Sequence, residues 1–491
     1  MATLDTWIDA HARHTPDATA IRFEGERWSY SALADQVARC ATTLARLEVG
    51  AGDRIVWLGQ NHPQLLTLLF AAARLGAVLS PINWRLSTAE MQHVIDDATP
   101  RVLFADAAMA GGADTLIAAN PTLTRWDVET TAWDDTTGTP HTAAPVDPHA
   151  PLLLVYTSGT TGLPKGAMLS QHALQVNAWN AVHMHGMSAA DRVLSVLPMF
   201  HVGGLNIQTT PALYCGAEVL LHRRFEPAAT LGALADDRPS LCVLVPATIQ
   251  ALAGQPNWQV TPVDSLRMLT TGSSIVPLET LAVFEDRGVP VVQVYGCTET
   301  GPVSAYQTLN HRNHASGTTG RAALHSALRI VDRDGAPCPP GTSGEIVVLG
   351  EHILSGYWNN PEASTDALRH GGFATGDVGY LDADGDLHVQ DRARDLIISG
   401  GENVYPAEVE RVLRTVPGVR DVAVTAVPDD TWGQVPAAWL IVDAATYSED
   451  TARAQLHASL ARFKHPRDWH VVADFPRNAL GKVQKFALTP P

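Results

Sequence analysis

Cysteine is scarce: five residues in 491, Cys40, Cys215, Cys242, Cys297 and Cys338, odd in number and scattered. No Cys-x-x-Cys or Cys/His ligand spacing occurs, which excludes a disulfide framework and a structural zinc site and leaves reduced thiols. Positive charge is short too, with 34 Lys and Arg against 51 Asp and Glu and a net charge of −17. Such a balance opposes sequence-independent binding to nucleic acid or to an anionic membrane. Long apolar runs are missing: the longest, around residues 65–73, stops at Arg74 and is too short to span a bilayer. The opening stretch MATLDTWIDA carries Asp5 and Asp9 where a secretory leader is basic and then apolar, so the expected location is the cytoplasm, without membrane insertion.

What is present is an ordinary globular composition, 45% hydrophobic and 17% charged, in a chain long enough for two to four domains. Short β-rich runs alternate with amphipathic stretches: RIVWLG from Arg54, RVLFAD from Arg101, LLLVYT from Leu152, VLSVLP from Val193 and VVQVYG from Val291. That pattern predicts layered α/β structure with largely parallel strands. Residues 120–151, rich in Thr, Pro, Asp and Ala, read as a poorly patterned connection. Near the end, YLDADGDLHVQDRARD reads as a hairpin turning at Asp384 and Gly385 and running into a charged segment. Beyond it the periodicity predicts a small α+β domain: a helix from Pro406, strands from Asp421 and Ala437, and a helix from Thr451. The expected division is a large domain of several subdomains, 1–393, and a small one, 394–491.

The stretch YTSGTTGLPKG, residues 156–166, is dense in hydroxyls, glycine and one lysine. A kinase-type phosphate loop needs Ser or Thr directly after its lysine to hold magnesium, and four residues between its glycines. Here Gly166 follows Lys165, and Leu163 and Pro164 separate that lysine from Gly162. What remains is a loop after a buried strand, with hydroxyls at Thr157, Ser158, Thr160 and Thr161 and with glycines such as Gly159 that let backbone N–H groups approach a phosphate chain. By composition alone it is equally an ordinary surface loop.

The string resembles the signature of the adenylate-forming superfamily, which contains acyl-CoA synthetases, adenylation domains and firefly luciferase. Further blocks resemble that family in its order: LPMFHVGG (197–204), TGSSIVP (271–277), VYGCTETGP (294–302), TGD (375–377), DRARD (391–395), ISGGENVYP (398–406) and PRNALGKVQK (476–485). The resemblance implies that a carboxylate attacks the α-phosphate of ATP and expels pyrophosphate. Two anions must then meet, against roughly 4 kcal/mol per unit-charge pair at about 4 Å in a partly screened site.

The family pattern implies a role for each matching residue. Lys482 would bridge the carboxylate and the α-phosphate, Thr298 would donate to that phosphate, and Glu299 would hold Mg²⁺. His201 would lie at the acyl pocket, while Ser273, Tyr295, Gly296 and Cys297 belong to the loops that hold adenine and acyl group. Asp377 would take the ribose hydroxyls with help from Arg392. The small domain would be mobile, rotating about a hinge at Arg394 so that Lys482 withdraws and the glycine-rich segment with Gly400 and Gly401 faces thiol entry.

The acceptor decides the activity. The chain ends nine residues after Lys482, which leaves no room for a carrier domain. Trp432 and Phe463 match positions that could sandwich the adenine of coenzyme A, and Arg85 and Arg467 positions that could meet its phosphates; His465 replaces a basic residue found in relatives. The expected activity is therefore an ATP-dependent carboxylic acid–CoA ligase, monomeric or homodimeric, using ATP, Mg²⁺ and CoA. Loading of a free-standing carrier protein, a luciferase-like oxygenase and a non-catalytic nucleotide sensor are the competing readings. For the acid, Ser273, Ser274 and Cys297 suggest a short or branched, hydroxylated monocarboxylate, with medium-chain fatty acids and hydroxycinnamates as alternatives. No arginine beside FHVGG suggests a dicarboxylate such as malonate.

Overall fold

The computed structural model describes residues 3–133, 145–158, 164–272, 276, 278–313, 317–392, 397–476, 483 and 485–488. They fall into two compact units, one formed by Met1–Trp84, Ala98–Val155 and Gly166–Asp391, the other by Arg85–Asp97, Tyr156–Lys165 and Arg392–Pro491. The architecture is mixed α/β, as the alternation of runs predicts.

The first unit is built on two sheets. In the larger, thirteen-stranded among the described residues, the centre is six parallel strands in the spatial order Val291–Tyr295, Met268–Gly272, Leu241–Val243, Arg192–Ser195, Glu218–Leu221 and Thr19–Phe23. An antiparallel portion, including Gly344–Gly350 and the hairpin strands Phe373–Leu381 and Asp386–Arg392, extends it beyond Val291–Tyr295. That hairpin closes at Asp382–Gly385, where the Gly385 N–H reaches the Asp382 carbonyl at 3.1 Å, in keeping with the Asp384–Gly385 turn signal. In the seven-stranded sheet the strands Arg54–Leu58, Val78–Ile82, Val102–Ala105 and Thr124–Asp127 run parallel. Strands such as Val78–Ile82 and Val102–Ala105 are buried at every position, which is why they read as unbroken apolar runs rather than as alternation.

Both sheets share one hydrophobic core with the helices Tyr30–Arg46, Pro63–Leu75 and Gln171–His185. Pro63–Leu75 is the apolar stretch too short for a bilayer. His62 caps it by accepting the Gln64 N–H at 3.1 Å, Pro63 opens it, and left-handed Gly76 (φ 71°) ends it. Eleven of its thirteen residues are buried, so it is a core helix apolar all round. Among the described residues no helix is long and apolar enough to cross a membrane.

One expectation needs correction. The segment 120–151 contains a strand, Thr124–Asp127, paired with Val102–Ala105. Its four residues are too few to show a period; it is held instead by Trp126, whose ring stacks on Trp133 at 5.2 Å and leans on Phe104.

The second unit is α+β. The long hairpin Val419–Asp429 and Gly433–Val442 carries the short strands Ile397–Ser399 and Asp468–Val471 on its second arm, and Glu402–Val404 beyond Ile397–Ser399. Helices Pro406–Leu413 and Glu449–Ser459 place Val409, Leu413, Ala452 and Leu456 in a core with Val422, Val424, Ala438 and Leu440. The second helix is capped by Ser448, which accepts the Thr451 N–H at 3.4 Å.

Candidate active site

The strand order of the large sheet selects the place where chemistry can occur. Arg192–Ser195 has Glu218–Leu221 on one side and Leu241–Val243 on the other, so the chain winds away from it in both directions. A crevice opens at the carboxyl edge of such a switch strand. The loop leaving that edge carries His201, and the strands Met268–Gly272 and Val291–Tyr295 end at the same edge because they run parallel to the switch strand.

His201 stands half-buried at the start of the short helix Val202–Asn206, its ring 4.5 Å from that of Phe200. The loop before it is pinned from the other sheet. Asn61, just beyond the strand Arg54–Leu58, donates to the Leu197 carbonyl at 2.9 Å and the His222 carbonyl at 3.0 Å, and accepts the Met199 N–H at 2.8 Å.

At the end of Val291–Tyr295 the structure gathers several sequence-predicted residues. The Tyr295 hydroxyl donates to Asp377 Oδ2 at 2.9 Å, so these two sequence-predicted residues meet directly. Burial, reinforced by the Asp377 charge, raises the Tyr295 phenol well above its ordinary range and keeps it a donor. The Asp377 N–H is held by Thr375 Oγ1 at 3.0 Å. Gly296 can only be glycine, since a Cβ there would lie 1.7 Å from the Pro302 carbonyl oxygen. Cys297 follows, a neutral thiol whose pKa burial raises, with the charges of Glu299 and Asp377 adding to it. Thr298 and Glu299 form a single 3₁₀ turn with Thr300. The Glu299 carboxylate accepts the Tyr357 hydroxyl at 2.9 Å, and its backbone carbonyl accepts the Leu354 N–H at 2.7 Å.

Within the second unit, Thr157 lies near the end of the strand Pro151–Ser158 and Lys165 near the start of Pro164–Ser170. Trp432 is 43% exposed and lies across Gly400, where a Cβ would come within 2.4 Å of the indole. The Gly400 N–H donates to the Trp432 carbonyl at 2.9 Å, and Gly401 follows in a left-handed conformation. The Arg467 guanidinium sits 5.7 Å from the centre of the Trp432 ring and 3.2 Å from Asp429 Oδ2. Arg85 is ion-paired with Glu402, and Phe463 packs against the core of this unit. The ring of His465 is held by the Leu460 carbonyl at 2.9 Å, and burial lowers its pKa.

Several expected site residues, Gly159, Thr160, Thr161, Ser273, Arg394 and Lys482, lie outside the described residues, as does Ser274; so do the side chains of Ser158 and Arg392. Reading the sequence also missed three residues that the structure singles out: Asn61, Tyr357 and Lys464. Each acts through a partner far along the chain, and none sits in a motif whose chemistry announces it.

Residues 8–358 match the profile of the family described as AMP-binding enzyme, and residues 408–482 that described as AMP-binding enzyme C-terminal domain. The chain belongs to this family. Within it, the chain is 44% identical over 492 residues to an indoleacetate–CoA ligase of Aromatoleum aromaticum, covering 98% of this chain and 96% of that one. It is 38% identical to a feruloyl-CoA synthase of an Amycolatopsis species, with 98% and 97% covered. Its fold superposes on o-succinylbenzoate CoA synthetase from Bacillus subtilis with a TM-score of 0.89 at 30% identity, covering 98% and 97%. The resemblance to the adenylate-forming superfamily, in its acyl-CoA synthetase branch, is thereby established. The protein is an ATP-dependent, AMP-forming acid–CoA ligase, with ATP and CoA as substrates and Mg²⁺ as the metal general to the family.

The residues present fit that metal. Among the described residues no group of three or more His, Cys, Asp or Glu is placed to hold an ion. Glu299 instead offers one hard carboxylate, next in the chain to Thr298, which suits a Mg²⁺ that binds through one or two carboxylates and arrives on substrate phosphates.

Proposed function

We propose that the acid is an aryl-substituted monocarboxylate, an arylacetate or a hydroxycinnamate. The observation that carries this reading is the 44% and 38% identity to the indoleacetate and feruloyl enzymes named above, both ligases of aryl acids. Gly203 has no side chain, and a Cβ built there would meet only Ile207 Cδ1, at 4.0 Å, among the described residues. That leaves the position two residues after His201 open, which is compatible with a flat ring. The expectation of a short hydroxylated acid rests mainly on Ser273 and Ser274, outside the described residues, and gains no support from the described part of the pocket.

In this reading Tyr295 and Asp377 take the nucleoside, Asp377 accepting from the ribose hydroxyls. Thr157, Lys165 and the intervening N–H groups grip the β- and γ-phosphates. Glu299 would hold the Mg²⁺, which would supply charge that offsets the phosphates. Thr298 donates to the α-phosphate, and Lys482 draws the carboxylate and that phosphate together. A carboxylate oxygen attacks the α-phosphorus, and the bond to the β-phosphate breaks as pyrophosphate leaves. The small domain then turns about Arg394, Lys482 withdraws, and the CoA thiol attacks the acyl carbonyl with AMP as the leaving group. Trp432, Arg467, Phe463 and Arg85 serve the CoA.

The test is AMP release with CoA across a panel holding indole-3-acetate, phenylacetate, ferulate, octanoate and 3-hydroxybutyrate. At least one aryl acid should exceed the aliphatic acids about tenfold or more in kcat/KM, the scale of one well-filled apolar pocket. Preference for 3-hydroxybutyrate or octanoate would overturn the aryl reading. For the two-step chemistry, Lys482→Ala should lose roughly 10²-fold or more in adenylate formation, in line with removal of one charged transition-state contact, while thioester formation from supplied acyl-adenylate survives. Equal damage to both halves would contradict the turning domain.

A further inference from the structure

We propose that Tyr357 is a positioning residue for the adenylation step: its hydroxyl fixes the rotamer of the Glu299 carboxylate, and so sets the affinity of the ATP-bound metal. This rests on the reading of Glu299 as the metal-holding carboxylate. The contact is direct, the Tyr357 hydroxyl donating to Glu299 Oε1 at 2.9 Å. A glutamate on a single partly exposed turn has three side-chain torsions to lose when it binds a cation, and a charge-assisted hydrogen bond removes much of that freedom beforehand.

Tyr357 is itself firmly seated. The two-residue strand Gly356–Tyr357 pairs antiparallel with Pro164–Ser170, placing Gly356 opposite Met168 and Tyr357 opposite Ala167. The Tyr357 N–H donates to Ser364 Oγ at 2.8 Å, and Ser364 Oγ donates in turn to the Asn360 carbonyl at 2.7 Å. Gly356 is close to Ser364 as well, where a Cβ would stand 3.0 Å from its hydroxyl. On either side, the Ser355 N–H reaches the Met168 carbonyl at 3.0 Å and the Trp358 N–H the Gly166 carbonyl at 2.7 Å. With Leu354 bonded to the Glu299 backbone, the segment 354–358 grips Glu299 at two points and the strand that follows Lys165 at three or more. Tyr357 thus links the carboxylate to the strand that leaves the glycine-rich loop, and it does so without being a ligand.

The ring of Tyr357 also packs against the large core, so a purely structural role must be separated from the positioning one. Tyr357→Phe does this, because it keeps the ring and removes only the hydroxyl. The decisive measurement is Mn²⁺ binding to the full-length protein with α,β-methylene-ATP, followed by the electron spin resonance of free Mn²⁺. Tyr357→Phe should raise the Mn²⁺ dissociation constant about tenfold, the scale of one charge-assisted hydrogen bond. The Mg²⁺ concentration giving half-maximal pyrophosphate release should rise in parallel. The thermal midpoint, the KM for the acid and thioester formation from supplied acyl-adenylate should stay as in the wild type. Unchanged Mn²⁺ affinity in Tyr357→Phe overturns the proposal, whatever happens to turnover. Glu299→Gln separates the two levels: if it weakens Mn²⁺ while Tyr357→Phe does not, only the positioning role fails. If Glu299→Gln leaves Mn²⁺ binding intact, the metal reading of Glu299 fails and the proposal with it.

Discussion

Asn61 Oδ1 accepts the backbone N–H of Met199 at 2.8 Å, across a gap of 138 residues, and so ties the carboxyl edge of one sheet to the switch-strand loop of the other. Its amide completes the clamp on the Leu197 and His222 carbonyls, and the side chain is only 3% exposed. Asn61→Ala would leave three buried backbone groups without this partner, at about 1–3 kcal/mol for each that water cannot reach. The expected result is a loss of about 2 kcal/mol or more in unfolding free energy. The KM for the acid should rise several-fold, because the loop carrying His201 loses its anchor, and the KM for ATP should move little. Steady-state kinetics on the purified variant checks this, and equal changes in both KM values would show that the clamp has no bias toward the acyl side.

How far the sequence reveals these arrangements depends on where the interaction energy lies. The strands Arg54–Leu58 and Val291–Tyr295 are legible because burial of both faces writes itself as an apolar run. Tyr295 and Asp377 are legible for another reason: each sits in a specific residue string, and the hydrogen bond between them shows that the two strings converge. Tyr357 was not legible. Its contact with Glu299 depends on a strand of two residues, too short to carry any period, and on pairing with a strand almost two hundred positions earlier. Lys464 is hidden by its setting in RFKHPRDW, where neighbouring cations suggest a solvated surface. Its burial is decided by carboxylates brought from elsewhere.

Those carboxylates make a second prediction. Within the second unit, Lys464 Nζ lies 2.6 Å from Glu90 Oε1 and 2.8 Å from Glu408 Oε2, with all three residues no more than 7% exposed. Glu90 Oε2 also takes the Ser87 N–H at 2.9 Å, the Ser87 hydroxyl at 2.8 Å and the Ala461 N–H at 2.8 Å. Burial raises the Glu408 carboxyl against the pull of Lys464; burial opposes the Lys464 charge, but the two glutamates outweigh it and raise its pKa. Removing the Lys464 ammonium takes from two buried carboxylates the cation they both contact, so Lys464→Met should cost about 3–5 kcal/mol. Adding Glu90→Gln and Glu408→Gln should recover a substantial part of that, since the amides need no counter-charge. Urea unfolding of the single and triple variants measures both, and a loss under about 1 kcal/mol in the single variant would mean that the triad is not electrostatically tight.

Three histidines in the first unit predict how stability depends on pH. Burial lowers His62, His185 and His352 from 6.5 to about 4; nearby Arg223 adds to the effect at His62 and His325 at His352. Each neutral ring is bonded in place: His185 to Thr270 Oγ1 at 2.9 Å and the Ala181 carbonyl at 2.7 Å, His352 to Ser326 Oγ at 3.1 Å, and His62 to the Gln64 N–H. Because the folded pKa lies below the unfolded one, the unfolded chain binds protons between pH 6.5 and 4 that the native state refuses. Stability is therefore full above about pH 7 and falls as pH drops through that window, with a slope approaching 1.4 kcal/mol per pH unit for each histidine. His352→Gln removes one of these proton sinks. The variant should start less stable at pH 7.5, yet lose about 2 kcal/mol less than the wild type on going to pH 5. The carboxylates common to both proteins cancel in that difference, so urea unfolding at the two pH values isolates the one imidazole, and parallel losses in the two proteins would show that His352 takes up a proton in the folded state.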